Sequence, residues 1–117
     1  MPKRGDLEFI SDIKEAIDRI CNYTDKMTYE DFLKDKKTQD AVVRNIEIIG
    51  EAVKNVSKSL RDENQDIEWK DIAGMRNKIV HFYFGIKWDI VWSVIRDKLP
   101  QLKKRVEEIL SKSPPEI

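Results

Sequence analysis

The sequence predicts an all-α fold, an up-and-down bundle of four to five helices. Apolar residues recur at intervals of three and four over long stretches, and no segment shows the period-two alternation of a half-buried strand. Only four Gly and four Pro occur in 117 residues, too few to punctuate a sandwich of short strands. Hydrophobic residues at 40% suffice for one core and charged residues at 38% for its surface, so residues 1–117 read as one folded domain. Repeats and interdomain linkers are absent. A short flexible tail is expected from about residue 112, where Ser113-Pro114-Pro115 leaves the fold.

The first helix is expected from Leu7 to Tyr23, with Ile10, Ile13, Ile17 and Ile20 on one face. Thr28 followed by Asp31 resembles a capping box and opens a short helix through Phe32 and Leu33. A long helix follows from Lys37 to Leu60, where Val42, Ile46, Ile49, Val53, Val56 and Leu60 step by four and three. After the polar break Arg61–Asp66, another helix is expected from Trp69 to Gly85, with Gly85 as the residue just past its end. The last helical region, Trp88 to Ser111, contains Pro100, which should kink it or open its second piece. Gly50 and Gly74 fall inside predicted helices, each at a cost of about 1 kcal/mol relative to Ala. Either two helix backbones approach closely at them or the glycines are simply tolerated there.

The helix from Trp69 to Phe84 is unusual. Trp69, Ile72, Ala73, Met75, Ile79, Val80, Phe82, Tyr83 and Phe84 would be distributed all round it. A helix apolar on every side is buried on every side. It is therefore expected at the centre of the bundle with a second copy of the chain over its outer face, which makes the protein a homodimer. Its polar residues Arg76, Asn77, Lys78 and His81 are then expected to be buried, and buried polar groups need partners or a purpose.

Composition removes several function classes. One His and one Cys cannot build a multi-His or thiolate zinc site. The acidic run Asp62, Glu63, Asp66, Glu68, Asp71 reads as a solvated loop and helix start, and no glycine-rich phosphate loop or G-x-S-x-G elbow occurs. No metal and no cofactor are expected. Cys21 lies among the apolar positions of the first helix, so a Cys–His nucleophile is unsupported. No stretch approaches the roughly 20 apolar residues of a membrane span, and the N-terminus lacks the apolar segment of a secretory signal. With the lone cysteine this leads to the expectation of a cytoplasmic protein with no membrane partner. Charges balance at 22 basic and 22 acidic, but residues 72–112 carry nine basic against four acidic. That excess could attract phosphate or simply solvate a helix face.

What remains is Arg76-Asn77-Lys78-Ile79-Val80-His81-Phe82-Tyr83. On a continuous helix Arg76 and His81 would stand about 140° and about 7.5 Å apart, on adjoining flanks, while Tyr83 would share a face with Arg76. A guanidinium to hold a phosphate and an imidazole to move a proton are the minimum for metal-free phosphodiester cleavage, with the ribose 2′-hydroxyl as nucleophile. Spacing alone does not separate that reading from a structural histidine near a helix end.

This segment, R-N-x-x-x-H-x-Y, resembles the R-x4-H-x-Y signature of the HepT-like toxins in the HEPN superfamily. The resemblance runs from about Leu7 to Leu110. It takes in Arg44-Asn45-Ile46-Glu47-Ile48-Ile49-Gly50-Glu51-Ala52, the stretch Ile67–Met75, Tyr83-Phe84-Gly85 and Val91-Trp92. It implies a HEPN-like helical bundle that dimerises so that two motifs meet in one composite cleft, and metal-independent ribonuclease activity. By position, Arg76 would bind the scissile phosphate and stabilise its developing charge, His81 would be the general acid/base, and Asn77 would help orient the site.

Tyr83 matches the tyrosine that a partner nucleotidyltransferase adenylylates in related toxins, although position alone makes it a core aromatic. A transferred nucleotide would set a phosphodiester anion and a purine beside Arg76 and block RNA access. Lys87 departs from the family, where Asp often caps the following helix. The resemblance thus implies the toxin of a toxin–antitoxin pair, a homodimeric endoribonuclease acting on RNA, with a cognate minimal nucleotidyltransferase as antitoxin. The alternatives are a non-catalytic HEPN dimer serving as interaction or nucleotide-binding partner of that enzyme, and a plain helical dimerisation module.

Overall fold

The computed structural model describes residues 5–81, of which His81 by its backbone alone, and residues 85–112. Helix α1 (Asp6–Tyr23) packs along α3 (Lys36–Asn55), and this pairing is the backbone of the core. The expected stripe Ile10, Ile13, Ile17 and Ile20 is buried together with Ala16, opposite Val42, Ile46, Ile49 and Val53. Each such branched side chain stabilises the fold by about 1.5–3 kcal/mol relative to an exposed position. Helix α8 (Leu99–Lys112) closes on α1 with Leu99, Leu102, Val106 and Ile109 inward. The all-α expectation holds.

Thr28 and Asp31 form the capping box of α2 (Tyr29–Lys34), with both reciprocal bonds at 3.1 Å. This helix delivers Phe32 to the core, where Trp88 and Trp92 of α7 (Trp88–Ser93) meet its ring at centroid distances of 5.7 and 5.2 Å. The Arg96 guanidinium covers Trp92 at 4.3 Å and donates to the Met27 carbonyl, tying α7 to the segment before α2.

The helix expected to Leu60 ends at Asn55. Val56 turns extended, and Ser57 caps a separate helix α4 (Lys58–Glu63) by accepting from the Leu60 amide. Asp6 enforces the break from the start of α1. Its carboxylate accepts from the Ser57 amide at 2.8 Å and from the Ser57 hydroxyl at 2.6 Å. The spacing Val56–Leu60 is compatible with one helix, but a capping serine with a long-range partner outcompetes the helical bond.

The helix expected from Trp69 to Gly85 is also divided. Helix α5 (Trp69–Ala73) stops at Gly74, whose φ and ψ of −91° and 3° lie in the bridge region, and α6 (Met75–Ile79) follows. The β-branched Val80 then turns extended, and β1 (Val80–His81) pairs antiparallel with β2 (Gly85–Ile86), in register Val80↔Ile86 and His81↔Gly85. Gly85 has φ +78°, so it uses its left-handed freedom at the start of a strand and not as the stop of a helix. The Lys87 amide closes this hairpin on the Ile79 carbonyl at 2.8 Å.

Because α6 ends at Ile79, the expected all-round apolar helix does not form. Trp69, Ile72, Met75 and Ile79 face the core, while Arg76, Asn77 and Lys78 are exposed on the single chain. Phe82, Tyr83 and Phe84 lie outside the described residues.

Pro100 is the second residue of α8, not the first. A π-turn, Val94–Lys98, precedes it, with the Leu99 amide reaching back five residues to the Val94 carbonyl. The wider turn relieves the crowding that a proline ring imposes on the preceding turn. These interruptions give eight α-helical segments among the described residues, where four to five helices were expected.

The acidic run is a salt-bridged loop and helix start. Arg105 on α8 holds Asp66 (2.6 Å), Glu108 (2.7 Å) and the Asn64 side chain (2.9 Å), and Lys58 holds Asp62. Among the described residues no helix is long and apolar enough to cross a membrane.

Candidate functional site

The site starts from a glycine. A Cβ at Gly50 would lie 3.4 Å from the Ala73 carbonyl oxygen and 3.8 Å from that of Ile72, so the backbones of α3 and α5 nearly touch there. Gly74 serves a different purpose. A Cβ there would meet only Lys70 and Asp71 carbonyls of the helix before it, and the residue marks the α5–α6 break.

The Gly50–Ala73 contact sets a register. One turn back along α3 stands Glu47, and one turn beyond Ala73 stands Arg76. They form an ion pair, Arg76 Nε to Glu47 Oε1 at 3.4 Å. A further turn back, Arg44 places Nη1 3.7 Å from the other oxygen of Glu47. One carboxylate therefore stands between two guanidiniums on two different helices. Its side chain is 32% exposed, against 54% for Arg76 and 71% for Arg44.

All three residues line a cleft of about 520 Å³ bounded by α1, α3 and the α5–α6 segment, and Asn77 lines it beside Arg76. Phe9, Ile48 and Ala52 supply apolar wall. Arg44, Lys54 and Arg76 are offset by Asp12, Glu47 and Glu51, so the cleft carries no strong net field. An anion entering this cleft would meet the arginine forks and not a bulk positive charge. A guanidinium held at its Nε side by a carboxylate keeps its outer edge, Nη1 and Nη2, for bidentate contact with a second anion. Lys78 turns elsewhere, to Asp71 at 3.5 Å.

Of the residues singled out from the sequence, the structure brings Arg76 and Asn77 together in this cleft. The backbone of His81 lies in β1, two residues past the end of α6, so the helical offset expected between Arg76 and His81 does not apply. The His81 side chain and all of Tyr83 lie outside what is described. Lys87 occupies the N-cap of α7 and makes no side-chain cap bond, as its departure from Asp implies. Sequence reasoning did not single out Arg44 and Glu47. Their signal was a charge pair at i, i+3 followed by a helical glycine, but which helix Gly50 would meet is not written in α3.

The family model described as Ribonuclease HepT-like matches residues 13–109. A Methanocaldococcus jannaschii protein named "Putative RNase MJ0127" is 44% identical over 110 residues, covering 94% of this chain and 91% of the relative. A Thermococcus cleftensis protein named "Probable ribonuclease HepT" is 41% identical over 107 residues, 92% of this chain and 97% of the relative. "Putative RNase TTE0752" of Caldanaerobacter subterraneus subsp. tengcongensis is 49% identical over 86 residues, 74% and 77% of the two chains. No solved structure matches the chain.

Proposed function

The chain belongs to the HepT-like ribonuclease family, and from that we propose that it is a metal-independent endoribonuclease, the toxin of a pair whose antitoxin is a minimal nucleotidyltransferase. One observation carries the reading: Arg76 stands solvent-exposed at a cleft with its Nε side held by Glu47 and Asn77 as its neighbour. That is a guanidinium set to receive a phosphate.

In the proposed reaction His81 takes the proton of the ribose 2′-hydroxyl as that oxygen attacks the adjacent phosphorus. The bond to the 5′-oxygen breaks, this oxygen takes up a proton, and a 2′,3′-cyclic phosphate remains. Arg76 neutralises the charge that builds on the non-bridging oxygens. Each chain has a single histidine. A homodimer with both motifs in one composite cleft supplies one imidazole as base and one as acid. Adenylylation of Tyr83 by the partner nucleotidyltransferase is the proposed off-switch, because the added phosphodiester anion competes for Arg76.

The test is incubation of the purified protein with total RNA, with and without chelator, and analysis of product ends. Cleavage that survives chelation and leaves cyclic phosphate is expected. It should be lost in His81→Ala and strongly reduced in Arg76→Lys, since an ammonium cannot reproduce a bidentate contact. Cleavage that stops with chelator, or that persists in His81→Ala, refutes the mechanism. Co-expression with the nucleotidyltransferase followed by peptide mapping tests Tyr83, and AMP on a different residue refutes that part.

A further inference from the structure

The cluster Arg44–Glu47–Arg76 contains one more arginine than the proposed chemistry uses. Glu47 lies between the two, 3.4 Å from Arg76 Nε through Oε1 and 3.7 Å from Arg44 Nη1 through Oε2. Gly50 and the Ala73 carbonyl hold α3 against the end of α5 at backbone contact, three residues before Arg76 on α6. Both guanidiniums line the one cleft.

We propose that Arg44 and Arg76 form a two-phosphate clamp for single-stranded RNA, with Glu47 as the positioning residue that holds them. Arg76 receives the scissile phosphate and Arg44 a neighbouring phosphate of the same strand. The inference rests on the ribonuclease reading and extends it to a second binding residue and to the class of substrate, an extended strand spanning at least two phosphates. Two arginines on one face repel each other, and an intervening carboxylate removes that repulsion while aligning both forks. Glu47 is shared by two cations and less exposed than either, and both arginines line the cleft with it.

The probe is a mixed-sequence 2′-O-methyl oligoribonucleotide, whose blocked 2′-oxygen cannot attack, so binding is read without cleavage. Its affinity for the full chain is measured by fluorescence anisotropy across a salt series. For a single strand each phosphate contact contributes about −0.7 to the slope of log K against log salt. Arg44→Ala and Arg76→Ala are each expected to flatten the slope by about one such step, with several-fold weaker binding across sequences. Glu47→Gln is expected to keep the wild-type slope, because both cations remain, while kcat on cleavable RNA falls about tenfold or more, because their alignment is lost. Glu47→Asp should restore part of that rate.

A wild-type slope in Arg44→Ala overturns the clamp, as does wild-type kcat in Glu47→Gln. Binding of the probe by the wild-type chain with no salt dependence overturns it too. Failure of the ribonuclease reading looks different: the wild-type chain then leaves cleavable RNA intact whatever the Arg44 slope. Circular dichroism of each variant separates loss of the clamp from loss of the fold.

Discussion

The approach of α3 to α5 at Gly50 is the contact on which the site's register depends, and it can be measured directly. In Gly50→Ala the new methyl lies 3.4 Å from the Ala73 oxygen and 3.8 Å from the Ile72 oxygen, within ordinary van der Waals contact. It therefore adds no clash, and it removes the backbone entropy of a mid-helix glycine, which is about 0.5–1 kcal/mol. The variant is expected to gain about that much, raising Tm by about 2–4 °C in a chain of this length. Gly50→Val attaches two further carbons to a Cβ already in contact, and its restricted helical rotamer leaves little choice of direction. Overpacking should cost about 1–3 kcal/mol, and displacement of α5 should carry Arg76 away from Glu47. Urea and thermal unfolding followed by circular dichroism measure both variants. An alanine variant destabilised by more than about 1 kcal/mol would mean that the helices lie closer than described. A valine variant as stable as the wild type would mean that they do not meet there at all.

Three further outcomes follow from other parts of the molecule. Ile79→Ala removes a fully buried side chain where α6 gives way to the hairpin, and should cost about 2–5 kcal/mol in urea unfolding; a loss below about 1 kcal/mol would refute its place in the core. Lys87→Asp fills an N-cap that has extended backbone and no side-chain bond, and should stabilise α7 by about 0.5–1 kcal/mol, a gain that unchanged Tm would disprove. Arg105 holds the Asp66 carboxyl below the ordinary carboxylate range, chiefly through their hydrogen bond, so folding favours the ionised form. That contribution is present above the ordinary aspartate pKa of about 3.9 and disappears as pH falls through the lower native value. Asp66→Asn should therefore lower Tm near about pH 7 and by progressively less as the medium is acidified below about pH 3.9, and an effect independent of pH would refute the pairing.

Where expectation and structure diverge, the cause is a partner that local spacing does not contain. Val56 to Leu60 is a good helical step, but Ser57 finds Asp6, fifty-one residues away, and the helix stops. The apolar residues from Trp69 to Phe84 are numerous enough for one buried helix, but the backbone is interrupted at Gly74 and turns extended at Val80. Gly74 and the β-branched Val80 were the local signs of interruption, and each is also compatible with a helix when read alone.

The sequence by itself determined the helical class, the inward stripes of α1 and α3 and the capping box of α2, because each depends on neighbours within a few positions along the chain. Only the tertiary structure decided that Gly50 would meet Ala73, that Glu47 would thereby face Arg76, and that Arg44 would join the same cleft. Those pairings come from two helices packed in register. That register depends on side-chain fit across the core, a property of both helices together that neither segment carries alone.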